Sequence, residues 1–78
     1  MTKRVAKGNL TELQRLIHNV RGPLNSISMN AELGKMYIQE GKTPESVLRA
    51  LDTIVAQCAM CGSALESLHT YLADRERA

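Results

Sequence analysis

The sequence predicts an all-α fold, a long antiparallel helical hairpin that dimerises into a four-helix bundle. Three observations predict it. Two apolar series step three and four residues alternately over most of the chain, which is the period of a coiled-coil seam. The two series have matching lengths and are separated only by a Gly-Lys-Thr-Pro segment at residues 41–44, so the helices they define fold back on one another. The chain is also short of core: its 78 residues are about half of a typical domain of ~150 and include no Phe or Trp and only two Tyr.

The first series runs Leu10, Leu13, Ile17, Val20, Leu24, Ile27, Ala31 and Ile38, with Gly34 at its one missing position. Asn9 followed by Glu12 has the spacing of a capping box, with an earlier helix start as the alternative, and the pattern stops at Glu40-Gly41. A helix over residues 10–40 would be roughly 45 Å long at about 1.5 Å per residue. Thr43 caps a second helix, Pro44 suits its first turn, and Glu45 complements the exposed amide end. Its series is Val47, Leu51, Ile54, Cys58, Cys61, Leu65, Leu68 and Leu72. The domain is therefore set at 10–73, with 1–9 and 74–78 as tails or boundaries. Leu16, Tyr37, Leu48 and Val55 widen the apolar faces beyond what one hairpin covers. A partner is implied, and a second copy related by a twofold axis is the simplest closure. A hairpin packed on another domain and a heteromeric coiled coil are the alternatives.

Charge and composition narrow the function. The net charge is +2, but Lys3, Arg4 and Lys7 all precede the first acid, Glu12, which leaves seven basic against eight acidic residues in the remainder. That body lacks the strongly basic surface of a duplex-DNA binder, and the scarcity of aromatics argues against stacking on single strands, so no nucleic acid is expected. No apolar run is long enough for a membrane span, and no signal-peptide hydrophobic region follows residues 1–9. Two cysteines are too few for an extracellular disulfide scaffold. A cytoplasmic segment is expected, whose parent could be soluble or membrane-anchored.

Cys58-Ala59-Met60-Cys61 has the spacing of a redox or zinc motif, but both cysteines fall on seam positions well inside a helix. They are read as buried small hydrophobes, with no metal site, and Met60 as a space-filling or rim residue. Glu32, Asp52 and Glu66 form no catalytic pair and are read as solvated or ion-paired; His69 is a surface or bundle-edge residue.

His18 stands one residue beyond the apolar position Ile17. Its helical neighbours Gln14, Arg15, Arg21 and Gly22 are not apolar, so its ring points outward, where a nitrogen can receive a phosphoryl group. Spacing alone favours a plain surface histidine over a nucleophile. One turn on, Gly22-Pro23 interrupts an otherwise continuous heptad, and the missing proline amide predicts a bend that serves either as a tolerated kink or as a hinge.

The segment Leu16-Ile17-His18-Asn19-Val20-Arg21-Gly22-Pro23-Leu24-Asn25-Ser26-Ile27 resembles the phosphoacceptor box of sensor histidine kinases, and the hairpin around it resembles their dimerisation and histidine phosphotransfer domain. The resemblance implies a module of a two-component system or phosphorelay in which His18 accepts a phosphoryl group and passes it to a response-regulator aspartate. Asn19 and Arg21 would support it, and Gly22 and Pro23 would be the hinge. It implies a homodimer that meets an ATP-binding catalytic domain, in cis or in trans, and a response-regulator receiver domain. This segment would bind no cofactor itself, because ATP and Mg belong to that catalytic domain; as an ATP-dependent protein histidine kinase it is incomplete alone. The box departs from the family pattern at Asn19, where an acidic residue is usual, and at Gly22, where Thr or Asn often stands. A noncatalytic dimerisation or docking module is the alternative.

Overall fold

The computed structural model describes the backbone of residues 2–77 and the side chains of residues 10–76. It consists of two helices, α1 (Thr2–Gln39) and α2 (Pro44–Arg77), packed against each other as a hairpin with extents of 60 × 20 × 11 Å. Both helices run past the ends read from the apolar series. Asn9 does not open α1: the helix begins upstream at Thr2 and passes through Gly8 despite that residue's low helix propensity. Glu12, the intended capping partner, instead pairs with Arg15. At the other end α2 continues to Arg77, beyond the expected boundary at residue 73. The basic residues Lys3, Arg4 and Lys7 lie outside the residues whose side chains are described.

The turn is built as its residue types require. Gly41 has φ +69°, a left-handed conformation that costs an L side chain about 1–2 kcal/mol and glycine nothing comparable. From there the Gly41 amide donates to the Ile38 carbonyl at 3.2 Å and the Lys42 amide to the Tyr37 carbonyl at 2.8 Å, the paired bonds of a Schellman motif. Two residues later Thr43 caps α2. Its Oγ1 accepts from the Ser46 amide at 3.3 Å while its carbonyl accepts from the same amide at 3.0 Å.

Across the hairpin, a methyl built at Gly34 would lie 3.9 Å from the Ala50 Cβ, which fixes these two residues level with one another. Stepping up α1 and down α2 from that pair sets Tyr37 level with Val47, Asn30 with Ile54, Ile27 with Gln57, Pro23 with Cys61, Val20 with Ala64, and Leu16 with Leu68. Every one of these residues is buried or half-buried. Of the polar members, Asn30 donates from Nδ2 to the Ser26 carbonyl at 2.8 Å, and beside the seam Thr53 Oγ1 donates to the Arg49 carbonyl at 3.0 Å. The core within the chain is small, and its buried apolar residues are Leu16, Ala50 and Cys61.

The seam differs from the one expected. Of the two predicted series, Leu13, Val20, Ile27 and Gly34 on α1 and Val47, Ile54, Cys61 and Leu68 on α2 are at least half-buried, whereas the alternate members are exposed. Those exposed members are Leu10, Ile17, Leu24, Ala31 and Ile38, and Leu51, Cys58, Leu65 and Leu72. Their places in the seam are taken by Leu16, Pro23, Asn30 and Tyr37 and by Ala50, Gln57, Ala64 and Tyr71. The reading of Cys58 as buried is corrected accordingly; Cys61 is buried and both are free thiols.

The displaced residues share one side. Each follows a seam residue by one position, and because the helices run in opposite directions the same rotation carries both sets to the same flank of the hairpin. Leu24 there is 49% exposed and Leu65 50%. The opposite flank carries residues that precede seam positions, among them Asn19, Ser26, Met29, Leu33 and Met36 on α1, and Ser46, Thr53, Met60 and Ser67 on α2. The hairpin is thus two-sided, with an apolar flank of Leu and Ile and a mainly polar one. Among the described residues no helix is long and apolar enough to cross a membrane.

Two glycines give opposite expectations. Gly34→Ala meets only ordinary contact and gains helix propensity, so it should stabilise the protein by about 0.5–1 kcal/mol. Gly41→Ala forces a side chain into a left-handed conformation and should cost about 1 kcal/mol. Urea denaturation at equal protein concentration checks both, and equal midpoints for the two variants would contradict this account of the turn.

Candidate functional site

His18 is exposed on α1 and lines an open groove of about 510 Å³ between the two helices. From α1 the groove takes Arg15, Leu16, Asn19, Gly22 and Pro23. From α2 it takes Met60, Ser63, Ala64 and Ser67. Its floor is seam, since Leu16 and Pro23 are buried and Ala64 half-buried, and its walls are the polar flank. The register explains the meeting, because residues 15–23 of α1 stand level with residues 61–69 of α2. A ring nitrogen on His18 is therefore reachable from solvent while a surface of both helices lies beside it.

Each sequence-predicted site residue can be located. Asn19 is exposed and in the groove. Its side-chain amide can orient a neighbouring group but is a poor base at neutral pH. Gly22 and Pro23 are also in the groove, but α1 runs through them as one helix. Pro23 has no amide to donate to the Asn19 carbonyl, and its ring crowds the residue before it. Glycine at 22 removes the Cβ that would aggravate that crowding. Around Gly22 there is open space: no heavy atom outside its chain neighbours and its own helical turn lies within 4 Å of a Cβ built there. Arg21 is exposed but does not line the groove; its position on the helix turns it toward the apolar flank.

The cation that does line the groove is Arg15. It is held by Glu12 in a two-pronged contact, Nη2 to Oε2 at 2.6 Å and Nε to Oε1 at 3.3 Å. The hydrogen bond from Arg15 holds the Glu12 carboxyl below the usual carboxylate range, and the same bond raises the Arg15 guanidinium. Both side chains are exposed, so this pair orients more than it stabilises. The Lys35–Glu32 pair at 3.7 Å lies farther along α1 and belongs to no part of the groove.

Four α2 residues, Met60, Ser63, Ala64 and Ser67, join the site without having been expected there. Met60 occupies the rim foreseen for it, with 56% exposure. The signal for the serines was counting outward from the turn at residues 41–43 in antiparallel register, which brings residues near 63 and 67 opposite the His18 turn. His69 is exposed and borders a separate hollow with Leu72, Ala73 and Glu76. Among the described residues no group of three or more His, Cys, Asp or Glu side chains could hold a metal ion.

Compared with protein-family models, with curated proteins and with solved structures, the chain matches none.

Proposed function

We propose that this hairpin is the phosphoacceptor and dimerisation module of a two-component sensor histidine kinase or phosphorelay. The observation that carries the reading is the place of His18, exposed at a groove shared by both helices inside a His-Asn-Val-Arg-Gly-Pro-Leu segment. In the proposed reaction a neutral ring nitrogen attacks the γ-phosphorus of ATP held by a separate catalytic domain. The bond from phosphorus to the bridging oxygen breaks, ADP leaves, and the ring sheds its remaining N–H proton. Transfer then reverses the roles: a receiver-domain carboxylate attacks the same phosphorus, the bond from phosphorus to nitrogen breaks, and the ring regains a proton from solvent as it departs as neutral imidazole. This chain contributes the nucleophile, its orientation and a docking surface.

The proposed assembly is a homodimer closed through the apolar flank into a four-helix bundle. What supports it is the distribution of apolar residues: among the described residues the bulk of Leu and Ile lie outside the hairpin seam, and few apolar residues are fully buried inside it. A pairing through that flank leaves the polar flank, and with it the His18 groove, facing solvent in both copies. Light scattering over a concentration series should give twice the 8.6 kDa chain mass. Leu24→Glu or Leu65→Glu should shift the mass to that of one chain, because each removes about 1–2 kcal/mol of apolar burial per copy and adds a charge to the interface. The Cys58 thiol, exposed in one hairpin, should react slowly with a thiol reagent in the dimer and quickly in the charged variants.

Asn19 favours a second reading, a noncatalytic dimerisation or docking module, because it removes the acid that would take a proton from the ring. Labelled ATP, a cognate catalytic domain and a candidate regulator separate the two. Acid-labile, base-stable label should appear on the wild type, be absent from His18→Gln, and move onto the regulator. Asn19→Asp should raise the phosphorylation rate with dimer formation unchanged. A demonstrably active donor that leaves no phosphohistidine would reject the phosphoacceptor assignment.

A further inference from the structure

We infer that Arg15 is the cation that takes up the phosphoryl group on His18, letting go of Glu12 as it does so. This rests on the phosphoacceptor reading. Three features of the helix point to it. Arg15 and His18 are three residues apart, so their side chains are neighbours on one face, and both line the same groove. Helical side chains lean toward the N-terminus, so a group carried on the His18 ring is brought over the preceding turn, where Arg15 stands, and away from Arg21 on the following one. The guanidinium is already oriented: Glu12, one turn further back, holds it by two hydrogen bonds at the helix surface.

The exchange follows from charge. A phosphoryl group carries close to two negative charges near neutral pH and three acceptor oxygens, against one charge and two oxygens on Glu12. Arg15 can rotate from the carboxylate behind it to the phosphoryl group ahead of it without any change in the backbone. Glu12 then keeps the guanidinium parked when His18 is free and competes for it when His18 is modified. Bound to Arg15, the phosphoryl oxygens push less electron density toward the leaving imidazole, and the nearby cation opposes the ring protonation that makes imidazole depart. Both effects lengthen the life of the phosphohistidine. Arg15 is in this sense a positioning residue for the modified state.

The test uses a donor that needs no partner protein. Potassium phosphoramidate phosphorylates the purified chain: an imidazole nitrogen attacks phosphorus, the bond from phosphorus to ammonia breaks, ammonia leaves, and the ring N–H proton passes to water. Phosphorus NMR follows the signals of His18 and His69, assigned with His18→Gln and His69→Gln, as they decay after the donor is removed at one neutral pH. Arg15→Gln should lose the His18 signal about threefold faster, in the range of an exposed ion pair, with the His69 decay unchanged as an internal control. Arg15→Lys should restore part of the lifetime, and Glu12→Gln should match or exceed the wild type. Carboxyl NMR of Glu12 should show its depressed titration moving back up on phosphorylation of His18. Equal His18 decay in wild type and Arg15→Gln, or parallel changes at His69, would overturn the inference. If His18 gains phosphoryl from phosphoramidate with this Arg15 dependence but never from an active ATP-binding domain, the kinase reading fails while the Arg15 contact stands.

Discussion

The turn at Gly41 and Thr43 ends one helix and starts the next within a few residues, and it thereby decides which residues stand level across the hairpin. That stagger, continued through the close pair Gly34 and Ala50, sets Pro23 against Cys61 and Leu16 against Leu68. The groove at His18 is a product of the same stagger. A slip of one residue in either helix would rotate Ser63 and Ser67 away from it and bring other α2 side chains opposite the histidine. The chemistry proposed for α1 therefore depends on capping bonds some twenty residues away.

The hairpin was legible in the sequence because its signals are local. Heptad spacing, a glycine that tolerates φ > 0, a Thr-Pro-Glu helix start and matching lengths need no knowledge of the far side of the molecule. Which stripe would face inward was not legible. The apolar series through Leu10, Ile17 and Leu24 is stronger than the one through Pro23, Asn30 and Tyr37, and a reading that ranks stripes by hydrophobicity gives the inner place to the stronger. In the structure each helix divides its apolar positions between its own partner and the outside, and the smaller and more polar residues pack inward. The Asn-x-x-Glu spacing did not fix the start of α1, because that spacing also occurs inside helices, and there Glu12 finds Arg15.

The site divides in the same way. His18, Asn19, Gly22 and Pro23 were visible as one oddity inside a regular heptad, and all of them line one groove. Arg21 was attached to them by motif, yet its angular position carries it toward the other flank. Arg15 was visible only as one polar helical neighbour of His18 among others, because its importance lies in a lean toward the N-terminus that a string of letters does not display. The α2 wall was invisible without the register. Local chemistry is written in neighbouring residues, while the companions of a catalytic side chain are set by how two helices align.

The outward stripe repeats at intervals of seven, and a straight α-helix of 3.6 residues per turn lags that interval by about 20° per heptad. Over the four heptads separating Leu10 from Ile38 the stripe drifts by roughly 80° around α1. A straight partner would lose it over those four heptads. Anything that covered the stripe along its whole length would itself have to wind with a left hand, so the handedness of the proposed assembly would be encoded in spacing rather than in any single contact. That winding also carries the two flanks around the axis together, so each level along the hairpin presents its polar side in a slightly different direction. The partner proposed for His18 would have to match that local direction, and one shaped for a level two heptads away would arrive turned by about 40°.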